Sequence, residues 1–126
     1  RYQRAGLFYR ADLITAELPV RRTLAQALQQ ASLPDGTWHA IGQCVGSLHA
    51  RGVQHADLNA HNLLVGATND IYVLDFDRGR IRARGAWERA VLARLRRSLL
   101  KVTAGLPAER FTAAQWQVLL AGVATG

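Results

Sequence analysis

The sequence has 126 residues, of which 49% are hydrophobic and 20% are charged, a composition that supports a buried core and excludes a disordered chain. Its one cysteine, Cys44, excludes a disulfide framework and a thiolate metal site within the chain. The net charge is +7, and residues 78–101 account for the whole excess with nine basic residues and one acid. Such a patch predicts an anionic partner (phosphate, lipid head group or nucleic acid), with a merely solvated helix face as the alternative.

The first half of the chain is predicted to contain two strands followed by two helices. Residues 6–10 and 12–18 are rich in β-branched and aromatic residues, which favours a strand pair. A short helix is predicted over 23–31, and a longer one begins at about Thr37. The apolar residues of the longer helix recur at helical spacing: Trp38, Ile41, Val45 and Leu48. Gly52 is predicted to end it, because glycine adopts the left-handed conformation without strain.

The second half is predicted to pass from a polar loop over 54–62 to a small hairpin over 63–75 and then to helices. An apolar stripe predicts a helix near Trp87 whose basic residues lie largely off that stripe; its members are Trp87, Val91, Leu92, Leu95, Leu99 and Val102. Thr112 and Gln115 have the spacing of a capping box, which predicts the start of the last helix. The fold class is therefore α+β, in one mainly helical domain with strands at the start and in the middle.

Three polar side chains predict a chemical function from their residue types alone, without reference to any family. Asp57 and Asn62 lie in the polar loop, and Asp75 ends the following strand. A hairpin that returns beside the loop would bring all three together. Two carboxylates and a carboxamide oxygen provide the hard ligands that Mg²⁺ takes alongside a substrate phosphate. One carboxylate is then left to orient and deprotonate an alcohol, so the set predicts phosphoryl transfer.

The spacing of these residues is similar to that of the protein-kinase-like superfamily. The pattern His55-x-Asp57-x-x-x-x-Asn62 resembles the catalytic loop of these enzymes, and Asp75 begins a segment that stands where their Asp-Phe-Gly motif stands. The resemblance extends to the 3-deoxy-D-manno-octulosonic acid (Kdo) kinase family, through YRADLITAE at 9–17, LPDGTW at 33–38, HADLNAHNLL at 55–64 and LDFDR at 74–78.

This resemblance implies transfer of the ATP γ-phosphate to the 4-hydroxyl of Kdo on a lipid A precursor, at the cytoplasmic face of the inner membrane. Asp57 would be the catalytic base, and Asn62 and Asp75 would hold Mg²⁺ against the ATP phosphates. The strand pair at 1–18 would end the N-terminal lobe, where Glu17 and Leu18 would meet adenine, and residues 19–126 would form the C-terminal lobe. We expect the chain to be a fragment without its upstream lobe and inactive alone, which leaves a pseudokinase reading open for it.

Asn59 stands where many protein kinases place a lysine that touches the transferred phosphate, which favours a small-molecule kinase over a protein kinase. The basic segment, which we define as residues 78–84, is predicted to bind the acceptor. If this segment is extended, its alternate side chains point to one side, toward the lipid A phosphates and the anionic membrane surface. These side chains are Arg78, Arg80, Arg82 and Arg84. Arg89, Arg96, Arg97 and Lys101 on the following helix would add to this surface.

Two alternatives to the Kdo kinase interpretation stay open. A heptose or other small-molecule kinase of the same fold would use the same loop, although a cationic acceptor such as an aminoglycoside would be repelled by the basic segment. A non-catalytic nucleic-acid-binding module would also explain the charge. We expect no nucleic-acid partner, because no aromatic stacking platform accompanies the arginines and the His-x-Asp loop would be unexplained. The oligomeric state is left open.

Overall fold

The computed structural model describes residues 8–10, 13–15, 22–74 and 79–126. Within these residues the fold is α+β, with four α-helices and seven short strands. In chain order they are β1 (Phe8–Arg10), β2 (Leu13–Thr15), β3 (Arg22–Thr23), α1 (Leu24–Gln30), α2 (Asp35–Ala50), β4 (Val53–His55), β5 (Leu63–Val65), β6 (Ile71–Val73), β7 (Gly79–Ile81), α3 (Trp87–Val102) and α4 (Ala113–Thr125). None of the helices in the described ranges is long and apolar enough to cross a bilayer.

The larger sheet has the strand order β2-β1-β6-β5-β3 and contains the predicted hairpin at its centre. Strands β5 and β6 pair antiparallel, with Leu63 opposite Val73, and all six of their residues are buried. Strand β1 pairs with β2, as predicted, and also with β6, where Tyr9 lies opposite Val73. The N-terminal strands therefore belong to the same sheet as the hairpin. The division into lobes at 18/19 stays a prediction.

A second sheet of two strands, β4 and β7, corrects the predicted extent of the polar loop. Gln54 and His55 are strand residues, with His55 opposite Gly79. This pairing joins segments more than twenty residues apart, so no local pattern could indicate it. Gly52 precedes β4 with a φ of 75°, and a Cβ there would lie 2.5 Å from the Arg82 carbonyl oxygen. The loop proper is therefore residues 56–62, held between β4 and β5.

The apolar faces of α2 and α3 form the core much as their periodicity predicted. Trp38, Ile41, Val45 and Leu48 of α2 are at most 1% exposed. In α3 the buried residues are Trp87, Val91, Leu95 and Leu99, while Leu92 and Val102 are partly buried. Burial of each such side chain contributes about 2 kcal/mol to folding. Both faces belong to one core that also contains Leu58 and Ala60 of the loop.

Helices α2 and α4 pack at close range through glycines. A Cβ at Gly42 would lie 1.9 Å from the Leu119 carbonyl oxygen, and one at Gly122 would lie 2.2 Å from the His39 carbonyl oxygen. The backbones therefore touch directly, and any side chain at these positions would force the helices apart. The predicted capping box at the start of α4 is present, with the Gln115 backbone amide donating to Thr112 Oγ1 at 3.1 Å.

Candidate active site

The loop over 56–62 is closed by hydrogen bonds that converge on one carbonyl group. The side-chain amides of Asn59 and Asn62 both donate to the Asp57 carbonyl oxygen, at 2.9 and 2.8 Å. The backbone amide of Asn59 donates in turn to Asn62 Oδ1 at 2.9 Å. Both lone pairs of the Asp57 carbonyl are thus occupied. The backbone that carries the Asp57 carboxylate is therefore fixed, and the Asn62 side chain contacts it through the Asp57 carbonyl.

His55 joins this loop to the end of the hairpin. Its imidazole is 1% exposed; Nδ1 accepts from the Asp57 backbone amide at 3.3 Å, and Nε2 lies 3.0 Å from the Leu74 carbonyl oxygen. Because Nδ1 accepts, the proton of the neutral ring is on Nε2, which donates to Leu74. The Leu74 amide donates to the Asn62 carbonyl at 2.8 Å. His55 is therefore a positioning residue for Asp57.

The Asp57 carboxylate is exposed, although the loop backbone that carries it is fixed. Its side chain is 51% exposed, and Oδ1 lies 3.7 Å from Nη1 of Arg94, which is itself 50% exposed. An ion pair of this exposure and distance contributes little to stability. The carboxylate therefore remains open to an incoming hydroxyl group, and a guanidinium group lies beside it.

Two flanking helices anchor the loop from its other side. The Ala60 backbone amide donates to Ser98 Oγ of α3 at 2.9 Å. The Ala60 carbonyl accepts from the Ala25 backbone amide of α1 at 2.9 Å. Sequence reasoning missed Ser98 and Arg94 because both lie in a helix whose apolar stripe and charge dominated its pattern. No local signal distinguishes them; their roles follow from packing.

Four of the predicted site residues, Glu17, Leu18, Asp75 and Arg78, lie outside the described residues. The convergence of Asp75 with Asp57 and Asn62, and the contact of Glu17 and Leu18 with adenine, therefore stay predictions. What the structure describes is the segment that leads to Asp75. Leu74, which precedes it in the chain, is held to the loop through its amide and its carbonyl group.

Among the described site residues, Asn62 could supply one oxygen ligand to a metal ion. Asn62 is 6% exposed, and its Oδ1 uses one lone pair for the Asn59 amide, which leaves the second available. This oxygen is the hard type of ligand that Mg²⁺ takes. Among the described residues, no three His, Cys, Asp or Glu side chains form a metal-binding group. Further ligands would therefore come from elsewhere, such as nucleotide phosphates.

The basic segment after the hairpin is partly engaged by the protein itself. Arg80 lies in β7, and Arg82 donates from Nη1 to Gln54 Oε1 at 3.1 Å. Arg84 forms two hydrogen bonds with Glu88, at 2.7 and 3.0 Å. The Arg84 guanidinium lowers the pKa of the Glu88 carboxyl, and the same contact raises the pKa of Arg84. Arg84 is thus already paired, whereas Arg82 has only a neutral partner among the described residues.

Comparison with known proteins matches residues 1–122 to the lipopolysaccharide kinase (Kdo/WaaP) family. A 3-deoxy-D-manno-octulosonic acid kinase of Photobacterium profundum is 43% identical over 122 residues, which are 97% of this chain and 51% of the relative. An enzyme of the same name from Xanthomonas axonopodis is 44% identical over 80% of this chain and 41% of the relative. Another from Vibrio parahaemolyticus is 40% identical over 80% of this chain and 42% of the relative. The chain spans about half the length, or less, of these relatives.

Proposed function

Because the chain belongs to the lipopolysaccharide kinase (Kdo/WaaP) family, we propose that the full-length protein transfers the γ-phosphate of ATP to the 4-hydroxyl of Kdo on a lipid A precursor. Three relatives that bear the name of this sugar kinase support the proposal. The observation in the structure that supports it best is the pair of amide hydrogen bonds to the Asp57 carbonyl. They fix the backbone of a carboxylate that is itself free to meet an alcohol.

In this mechanism the Asp57 carboxylate accepts the proton of the acceptor hydroxyl. The hydroxyl oxygen forms a bond to the γ-phosphorus as the bond from that phosphorus to the β–γ bridging oxygen breaks, and ADP leaves. Positioning of the hydroxyl supplies much of the rate, because the phosphoryl group needs little covalent help. Afterwards Asp57 releases its proton to solvent.

Nucleotide binding in this proposal needs residues beyond the described loop. Asn62 and Asp75 would hold Mg²⁺, which neutralises charge on the ATP phosphates when bound. Glu17 and Leu18 would meet adenine at the end of an N-terminal lobe, and residues 19–126 would form the C-terminal lobe.

The proposed activity is tested by incubating the full-length protein with ATP, Mg²⁺ and a Kdo-lipid A precursor. We expect a lipid that has gained one phosphate, located by NMR on the 4-hydroxyl of Kdo, and no product when Mg²⁺ is chelated. A heptose-terminated acceptor provides the comparison. Phosphorylation of the heptose acceptor but not of the Kdo acceptor would contradict the proposed substrate.

We also propose that the protein binds the cytoplasmic face of the inner membrane through its basic segment. Near an anionic leaflet each basic residue contributes about 1 kcal/mol, which is about a fivefold change in binding. Arg82→Gln in the full-length protein is therefore expected to weaken binding to vesicles that contain anionic lipid by about fivefold, measured by co-sedimentation. Arg84→Gln should have a smaller effect, because Arg84 is already paired with Glu88.

A variant with glutamine at all four arginines of the segment provides the stronger test of membrane binding. It changes Arg78, Arg80, Arg82 and Arg84 together, and we expect its binding to neutral vesicles to equal that of the wild type. Unchanged binding of this variant to anionic vesicles would show that the segment does not contact the membrane.

A further inference from the structure

A groove opens beside the loop, between α1 and α3. Its volume is about 860 Å³, within the range of pockets that hold small ligands. The residues that give it its chemical character are Asn59, His61, Arg94, Arg97, Ser98 and Lys101. We call it the α3 groove. Asn62, the residue predicted to meet the metal and nucleotide, is not among the described residues that line it.

The α3 groove is strongly basic. Arg94, Arg97 and Lys101 are spaced three and four residues apart and therefore share one face of α3. None of the described residues that line the groove carries a carboxylate. In the ranges 22–74 and 79–126, the only carboxylate within 4 Å of these three cationic groups is that of Asp57, beside Arg94. Arg97 and Lys101 thus present charge that no described acid neutralises, which attracts an anion.

The α3 groove meets the loop at the carboxylate of Asp57. Arg94 lines the groove and lies 3.7 Å from Asp57 Oδ1, so the basic surface begins at the proposed base. Asn59 cannot supply charge there, because it is neutral and its side chain already bonds the Asp57 carbonyl and the His61 amide. The positive charge that a lysine at position 59 would contribute is therefore available from Arg94.

Backbone and side-chain hydrogen bonds connect the two helices of the α3 groove to the loop. Ser98 of α3 accepts from the Ala60 amide, and Ala25 of α1 donates to the Ala60 carbonyl, both at 2.9 Å. One residue of the loop thus connects both helices. The cationic groups are held on a scaffold fixed relative to Asp57, which limits the entropy lost when a ligand binds.

We infer that the α3 groove binds an oxyanion of the acceptor, a carboxylate or a phosphate ester, and so places the acceptor hydroxyl at Asp57. The inference rests on the proposed function and names the acceptor subsite within it. Guanidinium groups bind both kinds of oxyanion through two parallel hydrogen bonds, and the Lys101 ammonium adds a point charge. Arg94, which lines the groove and lies 3.7 Å from Asp57 Oδ1, connects this subsite to the base.

Glutamine variants of Arg97 and Lys101 in the full-length protein test the α3 groove. Both side chains are exposed, so glutamine requires no repacking. Each variant should raise the KM for the Kdo-lipid A precursor about tenfold, because one charge-assisted contact is lost. The KM for ATP should stay within about twofold of the wild-type value.

Arg51→Gln is the matched control. Arg51 is exposed at the end of α2, outside the groove, and its variant should keep the wild-type KM for both substrates. An unchanged acceptor KM in both groove variants, or an equal rise in the control, would overturn the inference.

Two altered acceptors identify which oxyanion binds. One has the Kdo carboxylate reduced to an alcohol, and the other has the lipid A phosphates removed. Loss of the bound oxyanion should raise the wild-type KM about tenfold and abolish the difference between wild type and Arg97→Gln. If neither altered acceptor raises the wild-type KM or abolishes the difference between wild type and Arg97→Gln, the groove does not bind an anion of the acceptor.

A direct binding measurement separates this inference from the proposed function. Absence of phosphoryl transfer by the wild type would overturn the proposed function alone. Isothermal titration of the Kdo-lipid A precursor in detergent, without ATP, then decides about the groove. Affinity that falls about tenfold in Arg97→Gln supports the anion subsite, and equal affinity of variant and wild type contradicts it.

Discussion

Replacement of Asp57 by alanine in the full-length protein should lower kcat for the Kdo-lipid acceptor about 10³-fold, the size expected for loss of a general base. The KM for ATP should change by less than about threefold, because the loop backbone stays closed by Asn59 and Asn62. Asp57→Asn should be nearly as slow, since an amide retains the shape of the side chain but cannot take a proton.

The matched control for these variants is Asp35→Asn, which removes a carboxylate that is exposed in the first turn of α2, away from the loop. It should keep the wild-type kcat. Thermal unfolding of each variant shows whether the fold is intact. A fully folded Asp57→Ala protein that retains wild-type turnover would rule out Asp57 as the base.

The second large effect is expected at the contact between α2 and α4. Gly42→Ala places a methyl group where the Leu119 carbonyl oxygen lies 1.9 Å away, and backbone cannot move aside as a flexible side chain can. Alanine gains about 1 kcal/mol in helix propensity, but the overlap costs more. We expect the free energy of unfolding to fall by about 3 kcal/mol, measured by urea unfolding with tryptophan fluorescence.

Gly36→Ala is the control for that substitution, because it adds the same methyl group to the same helix. Its Cβ would lie 3.5 Å from Asn69 Nδ2, an ordinary contact, and Gly36 is exposed. Its unfolding free energy should stay within about 1 kcal/mol of the wild type. Equal stability of the Gly42 and Gly36 variants would mean that α2 and α4 do not pack at the observed distance.

The elements with clear local patterns were predictable from the sequence. The face of α2 from Trp38 to Leu48, the buried hairpin and the capping box at Thr112 all follow from periodicity, β-propensity or capping chemistry, and the structure confirms them. In the site, the spacing of His55, Asp57 and Asn62 indicated the loop that the structure closes by hydrogen bonds, while the catalytic roles of these residues stay predictions.

Features that depend on contacts between distant segments were not predictable. The pairing of β4 with β7 moved Gln54 and His55 from a loop into a strand. The close packing of Gly42 against Leu119, and the anchoring of the loop by Ser98, each join residues about 40 positions or more apart in the chain. The type of a single residue does not indicate a partner far away in the chain, because the same residue type also occurs on solvated helix faces.

The central claim is that Asp57 and Asn62 share one phosphoryl-transfer site, and a crystal structure of the full-length protein with a non-hydrolysable ATP analogue, Mg²⁺ and a Kdo acceptor tests it most directly. We predict that Asn62 Oδ1 ligates the ion at about 2.1 Å and that the Asp57 carboxylate lies about 3 Å from the acceptor hydroxyl. A nucleotide and ion bound elsewhere, with neither residue within reach of them, would contradict the account.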